Sequence, residues 1–209
     1  MRFISVNDSH DLSIDEGNAP EITSNEVLVS VKAIGVNRAD ILQRLGKYPP
    51  PKGESKVLGL EMSGVVTRIG SHVTDWQVGD RVLGLVPGGA YAEQCKLPSS
   101  HLISLPKHWS FIEGASVAEV FLTAYQCLFS IGQLENSQRV LIHAGASGVG
   151  TAAIQLAKAK ECQVIVTVGS DEKAKACIEL GADYAINYNQ EDFVAWSKFN
   201  VPDGYNVII

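Results

Sequence analysis

The sequence has few cysteines, and no two of them lie close together in the sequence. Only four of its 209 residues are cysteines, spread singly along the chain at Cys95, Cys127, Cys162 and Cys177. This pattern matches neither a disulfide framework nor the closely spaced thiolates of a structural zinc site. We therefore expect four reduced thiols, mostly buried as small apolar groups, in a cytoplasmic protein.

Basic clusters and long apolar runs are also missing. The chain carries 17 Lys and Arg against 23 Asp and Glu, and the formal net charge of −6 argues against a nucleic-acid-binding surface. No stretch approaches the roughly 18 apolar residues of a membrane-spanning helix, and the polar start MRFISVNDSHD does not match a signal peptide. The composition predicts an ordinary globular protein with neither nucleic acid nor a membrane as partner.

What the sequence does contain changes character near residue 118. Before it, short runs such as Glu26–Val36 alternate in polarity or are bounded by Gly, Pro or Asp, which is typical of a compact β-rich domain. From about Ile112 the apolar spacing becomes helical, and Gly132 is a plausible stop. Apolar strands then alternate with helices, which indicates a parallel α/β sheet. We predict a β-rich domain over residues 1–118 and an α/β domain over residues 119–209.

The predicted parallel sheet is incomplete. Its strands lie near residues 139–144, 163–168, 184–187 and 205–209. A complete doubly wound sheet has six strands, so the sequence ends within the fourth. We expect a piece of a longer enzyme, and the alternative is a natural short form.

A glycine-containing turn joins the first two parallel strands. In LIHAGASGVGTAAIQLAKA, Gly145, Gly148 and Gly150 follow an apolar strand and open a helix. Bare backbone N–H groups and the positive helix end at such a turn can bind a pyrophosphate. The spacing is G-x-x-G-x-G rather than the usual G-x-G-x-x-G, and a purely structural turn is the alternative. The strand–turn–helix–strand context favours dinucleotide binding.

The end of the second strand indicates which dinucleotide. Sites that prefer NAD place an acidic residue there to bind the ribose 2′-hydroxyl. This chain has Gly169 and Ser170, with Lys173 one helical turn later, and these suit the 2′-phosphate of NADP. Ser170 can also be a helix N-cap, with Asp171 and Glu172 complementing the helix dipole, and both roles can hold together. Asp171 is close enough to reach a 2′-hydroxyl if the loop turned, so NAD remains the alternative to the favoured NADP.

Five blocks in order resemble one family over essentially the whole chain. They are VNRADILQRLGKYPPP, LGLEMSGVV, VGDRVLGLVPGGAYAE, FLTAYQCL and LIHAGASGVGTAAIQLAK. The chain resembles the zinc-independent quinone oxidoreductase branch of the medium-chain dehydrogenase/reductase superfamily, especially the p53-inducible quinone oxidoreductases and their bacterial relatives. The resemblance implies a GroES-like catalytic domain followed by a Rossmann domain. It also implies NADPH as cofactor, a quinone or enone as substrate, and a homodimer for the full-length form.

The resemblance also implies roles for individual positions. Asn37 matches the residue beside the nicotinamide where zinc-dependent relatives carry a cysteine ligand, although it could be a turn residue. Tyr48 matches a tyrosine of the quinone pocket, although it could merely pack on its prolines. The implied catalytic pair is Tyr48 and Asn37. The implied cofactor-binding set is Asn37, Tyr48, Thr123, Gly145, Ser147, Gly148, Val149, Gly150, Gly169, Ser170, Lys173 and Tyr188.

Metal ligands are not expected. Zinc-dependent relatives carry a Gly-His-Glu block, where this chain has Gly59-Leu60-Glu61, and Glu61 alone cannot hold zinc. The five histidines are dispersed, and His143 is expected to pack near the glycine turn. We also expect Arg38 and Asp40 to form a local ion pair.

These observations favour an NADPH-dependent quinone or enone reductase that works without metal. A quinone oxygen can take its proton from solvent, so no strong acid catalyst is expected, and Tyr48 is the candidate hydrogen-bond donor to that oxygen. The alternative is a truncated, non-catalytic nucleotide-binding remnant or a regulatory partner of full-length subunits.

Overall fold

A computed structural model describes all residues from 1 to 209. The chain divides into two compact units, Met1–Glu119 and Val120–Ile209.

The first unit is built on an antiparallel sheet. Its five strands run in the order β6-β3-β4-β5-β7, and a separate hairpin pairs β1 with β2. The strands are β1 (Arg2–Val6), β2 (Leu12–Glu16), β3 (Glu26–Ile34), β4 (Glu61–Ile69), β5 (Arg81–Leu85), β6 (Gln94–Pro98) and β7 (Leu102–Ser104).

The core of the first unit comes from the alternating residues of these strands. Val27 and Val29 on β3 are fully buried, and they pack in one cluster with Met62 and Val66 of β4. The neighbouring positions Leu28 and Ser63 are buried as well, so these parts of β3 and β4 are covered on both faces. This unit also carries α1 (Arg38–Arg44) and α2 (Phe111–Gly114).

The second unit contains a four-stranded parallel sheet in the order β10-β9-β8-β11. Its strands are β8 (Arg139–Ile142), β9 (Gln163–Val168), β10 (Tyr184–Asn187) and β11 (Val207–Ile208). Its helices α4 (Gly148–Ala159), α5 (Asp171–Glu179) and α6 (Phe193–Asn200) alternate with the strands. Numbered within this sheet, the strand order is 3-2-1-4, as in half of a doubly wound fold. The predicted fold class is therefore confirmed.

Two parallel strands are shorter than the sequence predicts. β8 ends at Ile142 rather than at residue 144, because Ala144 adopts a left-handed backbone conformation with φ of 53° and turns the chain out of the sheet. β11 contains only Val207 and Ile208, where a strand over residues 205–209 is predicted. β9 and β10 agree with the predicted bounds.

The stretch Phe111–Ile131 corrects the expectation about apolar runs. It is 21 residues long with a mean hydropathy of 1.3, enough to cross a membrane by length and composition alone, and 28% of its most apolar window is buried. Counting consecutive apolar residues missed it, because Glu113 and Glu119 interrupt the run. The stretch comprises α2, a turn, α3 (Ala118–Tyr125) and a π-helical segment, Gln126–Ile131. Core helices of globular proteins also meet this length and composition.

The cysteines differ in accessibility, which predicts their reactivity. Burial raises the pKa of Cys95 to about 12 and also raises the pKa values of Cys162 and Cys177, whereas Cys127 is only half-buried. A thiol-specific disulfide reagent should therefore modify Cys127 first in the folded chain and the other three only on unfolding. Time-resolved mass spectrometry of the modified chain checks this, and rapid labelling of Cys95 would contradict it.

Candidate functional site

The glycine turn of the second unit is shaped by close backbone packing. A Cβ atom on Gly145 would lie 2.6 Å from Cβ of Val166 on β9, and one on Gly150 would lie 2.5 Å from the carbonyl oxygens of both Ala144 and Gly145. Gly148 is less constrained, because a Cβ there would meet only a side-chain methyl of Val120, at 2.9 Å. Gly145 and Gly150 are thus required by the strand-to-helix turn itself.

The same turn leaves backbone donors free at the start of α4. The Ser147 hydroxyl oxygen accepts the Gly150 N–H at 3.1 Å and caps the helix. The N–H groups of Gly148 and Val149, the first two residues of α4, have no partner inside the helix, as at any helix N-terminus. With the positive end of the helix dipole, these donors suit an anionic group. The turn is therefore both structural and open to a pyrophosphate.

A small pocket of about 150 Å³ lies beside this turn. It is lined by Ala144, Ala146, Ser147, Val168, Gly169, Lys173 and Tyr188. Four of the predicted cofactor residues thus come together, namely Ser147, Gly169, Lys173 and Tyr188. Its lining includes one cation and no carboxylate, and Lys173 makes no salt bridge.

The loop after β9 is held by side-chain hydrogen bonds. The Asn189 amide donates to the Gly169 carbonyl at 2.8 Å, and the Ser170 hydroxyl accepts the Lys173 N–H at 3.3 Å. The predicted N-cap role of Ser170 is therefore correct, and its hydroxyl hydrogen remains free to donate to a ligand. A Cβ on Gly169 would lie 2.6 Å from the Tyr188 hydroxyl, so a glycine gives this aromatic ring room against the loop.

Asp171, the carboxylate nearest this pocket in sequence, is occupied elsewhere. It accepts hydrogen bonds from Asn187 at 2.7 Å and from Gln190 at 3.0 Å. These two bonds lower the pKa of Asp171 and keep it ionised. A carboxylate held this way is not free to turn towards a ribose 2′-hydroxyl. Ser170 does not line the pocket itself but lies between its lining residues Gly169 and Lys173. The lining fits the phosphorylated dinucleotide, because it includes the cation of Lys173 and no competing carboxylate.

Two further positions of the second unit have other surroundings. Thr123 lies half-buried on α3 and its hydroxyl makes no side-chain hydrogen bond, so its role as a nicotinamide contact stays a prediction. His143 shares a hydrogen bond of 2.9 Å with the Thr167 hydroxyl and packs edge-on against Phe193. It therefore lies near the glycine turn, as predicted.

In the first unit, Asn37 belongs to a hydrogen-bonded network around a buried carboxylate. Glu61, at the start of β4, is 3% exposed. One of its oxygens accepts from the Asn37 side-chain amide at 2.8 Å, and the other accepts the Glu119 N–H at 3.0 Å. Asn37 is also the N-cap residue of α1, so the proposed turn role is real. The Asn37 amide nitrogen is thus held by Glu61, while its side-chain oxygen faces the Asp40 N–H in the capping box of α1.

The expected ion pair between Arg38 and Asp40 is not formed. Asp40 is 2% exposed, and one of its oxygens accepts from the Asn37 N–H at 2.8 Å and from the Tyr91 hydroxyl at 3.0 Å. Arg38 is exposed and makes no salt bridge, because the carboxylate of Asp40 points into the unit rather than along the helix surface. Burial, and then the Asp40 charge, raises the pKa of Tyr91, which remains a neutral donor. The second Asp40 oxygen is buried without a partner.

Tyr48 lines a second pocket, of about 440 Å³, within the first unit. The remaining lining residues are Gln43, Pro50, Pro51, Glu54, Leu60, Leu85, Val86, Pro87, His101 and Glu119. Tyr48 is 50% exposed, and its hydroxyl makes no hydrogen bond. It therefore shares a pocket with two of its prolines and still presents a free hydroxyl. Asn37 does not line this pocket, but Glu119 connects the two features through its N–H bond to Glu61.

Three residues of the first unit were not predicted as site residues. The sequence identifies Glu61 only as an insufficient zinc ligand, and it predicts no role for Tyr91 or Glu119. Glu119 had one available signal, since it is the single acidic residue between Gly114 and Gly132. A carboxylate in so apolar a stretch indicates a partly buried acid.

No group of three or more His, Cys, Asp or Glu side chains is arranged to hold a metal ion. Two of the five histidines have hydrogen-bond partners of their own: His143 shares a bond with Thr167, and His10 bonds to the Arg44 carbonyl.

Two protein-family models match the chain, and both describe dehydrogenase domains. The alcohol dehydrogenase GroES-like domain matches residues 23–133, and the zinc-binding dehydrogenase domain matches residues 148–209. The first covers more than half of the chain.

Individual proteins are similar to nearly the whole chain. The synaptic vesicle membrane protein VAT-1 homolog of Danio rerio is 35% identical over 198 residues, which is 95% of this chain and 41% of that protein. The quinone oxidoreductase of Pseudomonas syringae is 36% identical with a TM-score of 0.85, covering 97% of this chain and 63% of that one. The Escherichia coli quinone oxidoreductase complexed with NADPH is 34% identical with a TM-score of 0.83, covering 95% and 61%.

The chain thus spans less than half of the curated relative and about three-fifths of each of these two solved proteins. With both family models matched in order, the chain belongs to the medium-chain dehydrogenase/reductase superfamily, in its zinc-independent quinone oxidoreductase branch.

Proposed function

We propose that this chain carries out, or forms part of, an NADPH-dependent reduction of a quinone or enone without a metal ion. The observation that carries the proposal is the pocket beside the glycine turn, where Lys173 stands without a salt bridge and Asp171 is held away by other partners. This donor set favours a 2′-phosphorylated dinucleotide. The NADPH complex of the similar Escherichia coli enzyme supports the same choice.

The residues of the chain would bind and orient the reactants. The free N–H groups of Gly148 and Val149 would bind the pyrophosphate, while Ser170, Lys173 and Tyr188 would contact the adenosine end. In the first unit, the side-chain oxygen of Asn37 would accept a hydrogen bond from the carboxamide of the nicotinamide. Tyr48 would donate a hydrogen bond to the substrate oxygen. The bound reduced nicotinamide supplies the electron pair together with one hydrogen. Positioning then accounts for most of the catalysis.

The expected result is oxidation of NADPH by 1,4-benzoquinone, with NADH a much poorer donor. The absorbance of the reduced nicotinamide follows the reaction, first with the chain as purified and then after treatment with a chelator. Activity should be unchanged by the chelator, because no metal takes part in the proposed chemistry. Ethanol with NAD serves as the control substrate pair and should not react. Loss of quinone reduction on metal removal would contradict the proposal.

A chain that binds NADPH but oxidises it with no quinone or enone would favour the alternative, a nucleotide-binding remnant or a regulatory partner of full-length subunits. The cytoplasmic location, the homodimer of a longer form, and the absence of membrane and nucleic-acid partners also stay predictions. The similar protein of Danio rerio is named as a synaptic vesicle membrane protein. Cell fractionation and light scattering would test location and oligomeric state.

A further inference from the structure

Three carboxylates lie close together in the first unit, and they do not have the same partners. Glu61 and Asp40 are almost fully buried, and both accept hydrogen bonds from N–H or O–H donors. Glu119 is half-buried, and its carboxyl group accepts no hydrogen bond from another residue. Of the three, Glu119 is therefore the one whose carboxyl group has no donor within the protein.

The electrostatic surroundings of Glu119 act in the same direction. Burial, followed by the charges of Glu61 and Asp40, raises the pKa of Glu119 above its usual value. The titratable groups that face it are Glu61 and Asp40 in the network and Tyr48, Glu54 and His101 around the pocket. No lysine or arginine lines the pocket to favour the charged form.

The position of Glu119 would allow its carboxyl group to reach a bound substrate. Glu119 lines the same pocket as Tyr48, and its backbone is fixed by the N–H bond to Glu61. We propose that Glu119 is a carboxylic acid that donates a proton to the oxygen of a carbonyl substrate held in this pocket. The inference rests on the proposed reductase function and adds to it a proton donor that the sequence did not predict.

The step balances with the reduced nicotinamide as the reductant. A quinone or enone gains an electron pair and one hydrogen from that reductant, and it needs one further proton. The O–H bond of Glu119 breaks as a new O–H bond forms on the substrate oxygen, and the carboxylate left behind regains its proton from water. Tyr48 remains a hydrogen-bond donor to the same oxygen and changes no bond.

Glu119→Gln is the central test, because glutamine keeps the shape and a hydrogen-bond donor but carries no transferable acid proton. General acid catalysis contributes roughly a hundred-fold or more, so kcat should fall by about that factor while KM changes little. The wild-type rate should decrease as pH rises through the Glu119 pKa, and Glu119→Gln should lose this decrease. Glu119→Asp, which keeps the acid on a shorter side chain, should recover part of the rate and the pH dependence.

Two further variants separate this role from a structural one. Glu61→Gln removes one of the two like charges, so the Glu119 pKa should fall and the pH profile should move to lower pH. Glu16→Gln changes an exposed carboxylate on β2, outside the pocket, and should leave rate and profile unaltered. Circular dichroism checks that each variant is folded. Equal rates and profiles for wild type and Glu119→Gln would overturn the proposal while leaving the reductase function intact.

A binding experiment without turnover separates failure of the proposed reductase function from failure of the Glu119 assignment. Acetophenone, a ketone that is not an enone, should bind the wild type more weakly as Glu119 ionises, and its binding to Glu119→Gln should not depend on pH. Ligand-observed NMR measures this without turnover. If the ketone binds in this way but the chain oxidises no NADPH, the reductase function fails and proton transfer from Glu119 fails with it. If binding does not depend on pH in the wild type, the donor assignment is wrong.

Discussion

Replacing Lys173 with alanine should weaken NADPH binding by roughly ten- to a hundred-fold while hardly changing NADH binding. A hydrogen bond to a charged group is worth on the order of 1.5–3 kcal/mol, and each 1.4 kcal/mol is a tenfold change in affinity. The side chain lines the pocket without a salt bridge, so its charge is available to a 2′-phosphate. NADH lacks that phosphate and loses nothing. Titration of nicotinamide fluorescence with both cofactors measures the two constants.

Gly169 provides the matched pair of variants for this prediction. Gly169→Asp should shift preference towards NADH, because the new carboxylate repels the phosphate and can bind a 2′-hydroxyl. Gly169→Ala adds the same Cβ without the charge, and both variants must displace the exposed end of Tyr188. The difference between them therefore isolates the charge. Equal weakening of both cofactors by Lys173→Ala would show that Lys173 is only a surface charge.

Gly150→Ala should destabilise the second unit by about 3 kcal/mol, the upper end of the usual cost of overpacking. The new Cβ would lie 2.5 Å from two backbone carbonyl oxygens, which cannot move without shifting the turn between β8 and α4. Ser147 caps that helix through the Gly150 N–H, so nucleotide binding should fall as well. Hydrogen exchange of the β8 and β9 amides reports the free energy of opening.

Gly148→Ala is the control for that substitution. Its Cβ would meet only the Val120 side chain, which can shift more readily than a backbone carbonyl. The unfolding free energy should therefore change by less than about 1 kcal/mol, below the usual cost of overpacking. If Gly150→Ala is as mild as Gly148→Ala, the turn is more adaptable than its packing indicates.

Local patterns predicted most of the second unit. The apolar runs of β9 and β10 gave strands with the observed bounds, because residues covered on both faces must be apolar. The end of β8 was misplaced because nothing in the residue types of His143 and Ala144 signals a left-handed turn. The stretch after Ile112 is helical as predicted, but it is interrupted between Gly114 and Ala118, which helical spacing alone does not reveal.

The loop after β9 and the hydrogen-bonded network of the first unit differ in how far the sequence could predict them. Gly169, Ser170 and Lys173 lie within five residues of each other, so a strand end followed by a helix was enough to group them. The network of the first unit joins residues far apart in the chain: Asn37 with Glu61, Tyr91 with Asp40, and Glu119 with Glu61. Such partners depend on how β4, α1 and the start of α3 pack, which no local pattern records.

The packing of the glycine turn has a consequence for how this family evolves. Since Gly145 and Gly150 are held by contacts within the protein itself, a descendant that stopped using a nucleotide would still be selected to retain both. Selection on Lys173 would relax at once, because this exposed side chain makes no salt bridge within the fold. In a descendant that no longer binds a nucleotide, substitutions should therefore appear first at Lys173, after the end of β9. The glycines of the turn should be retained.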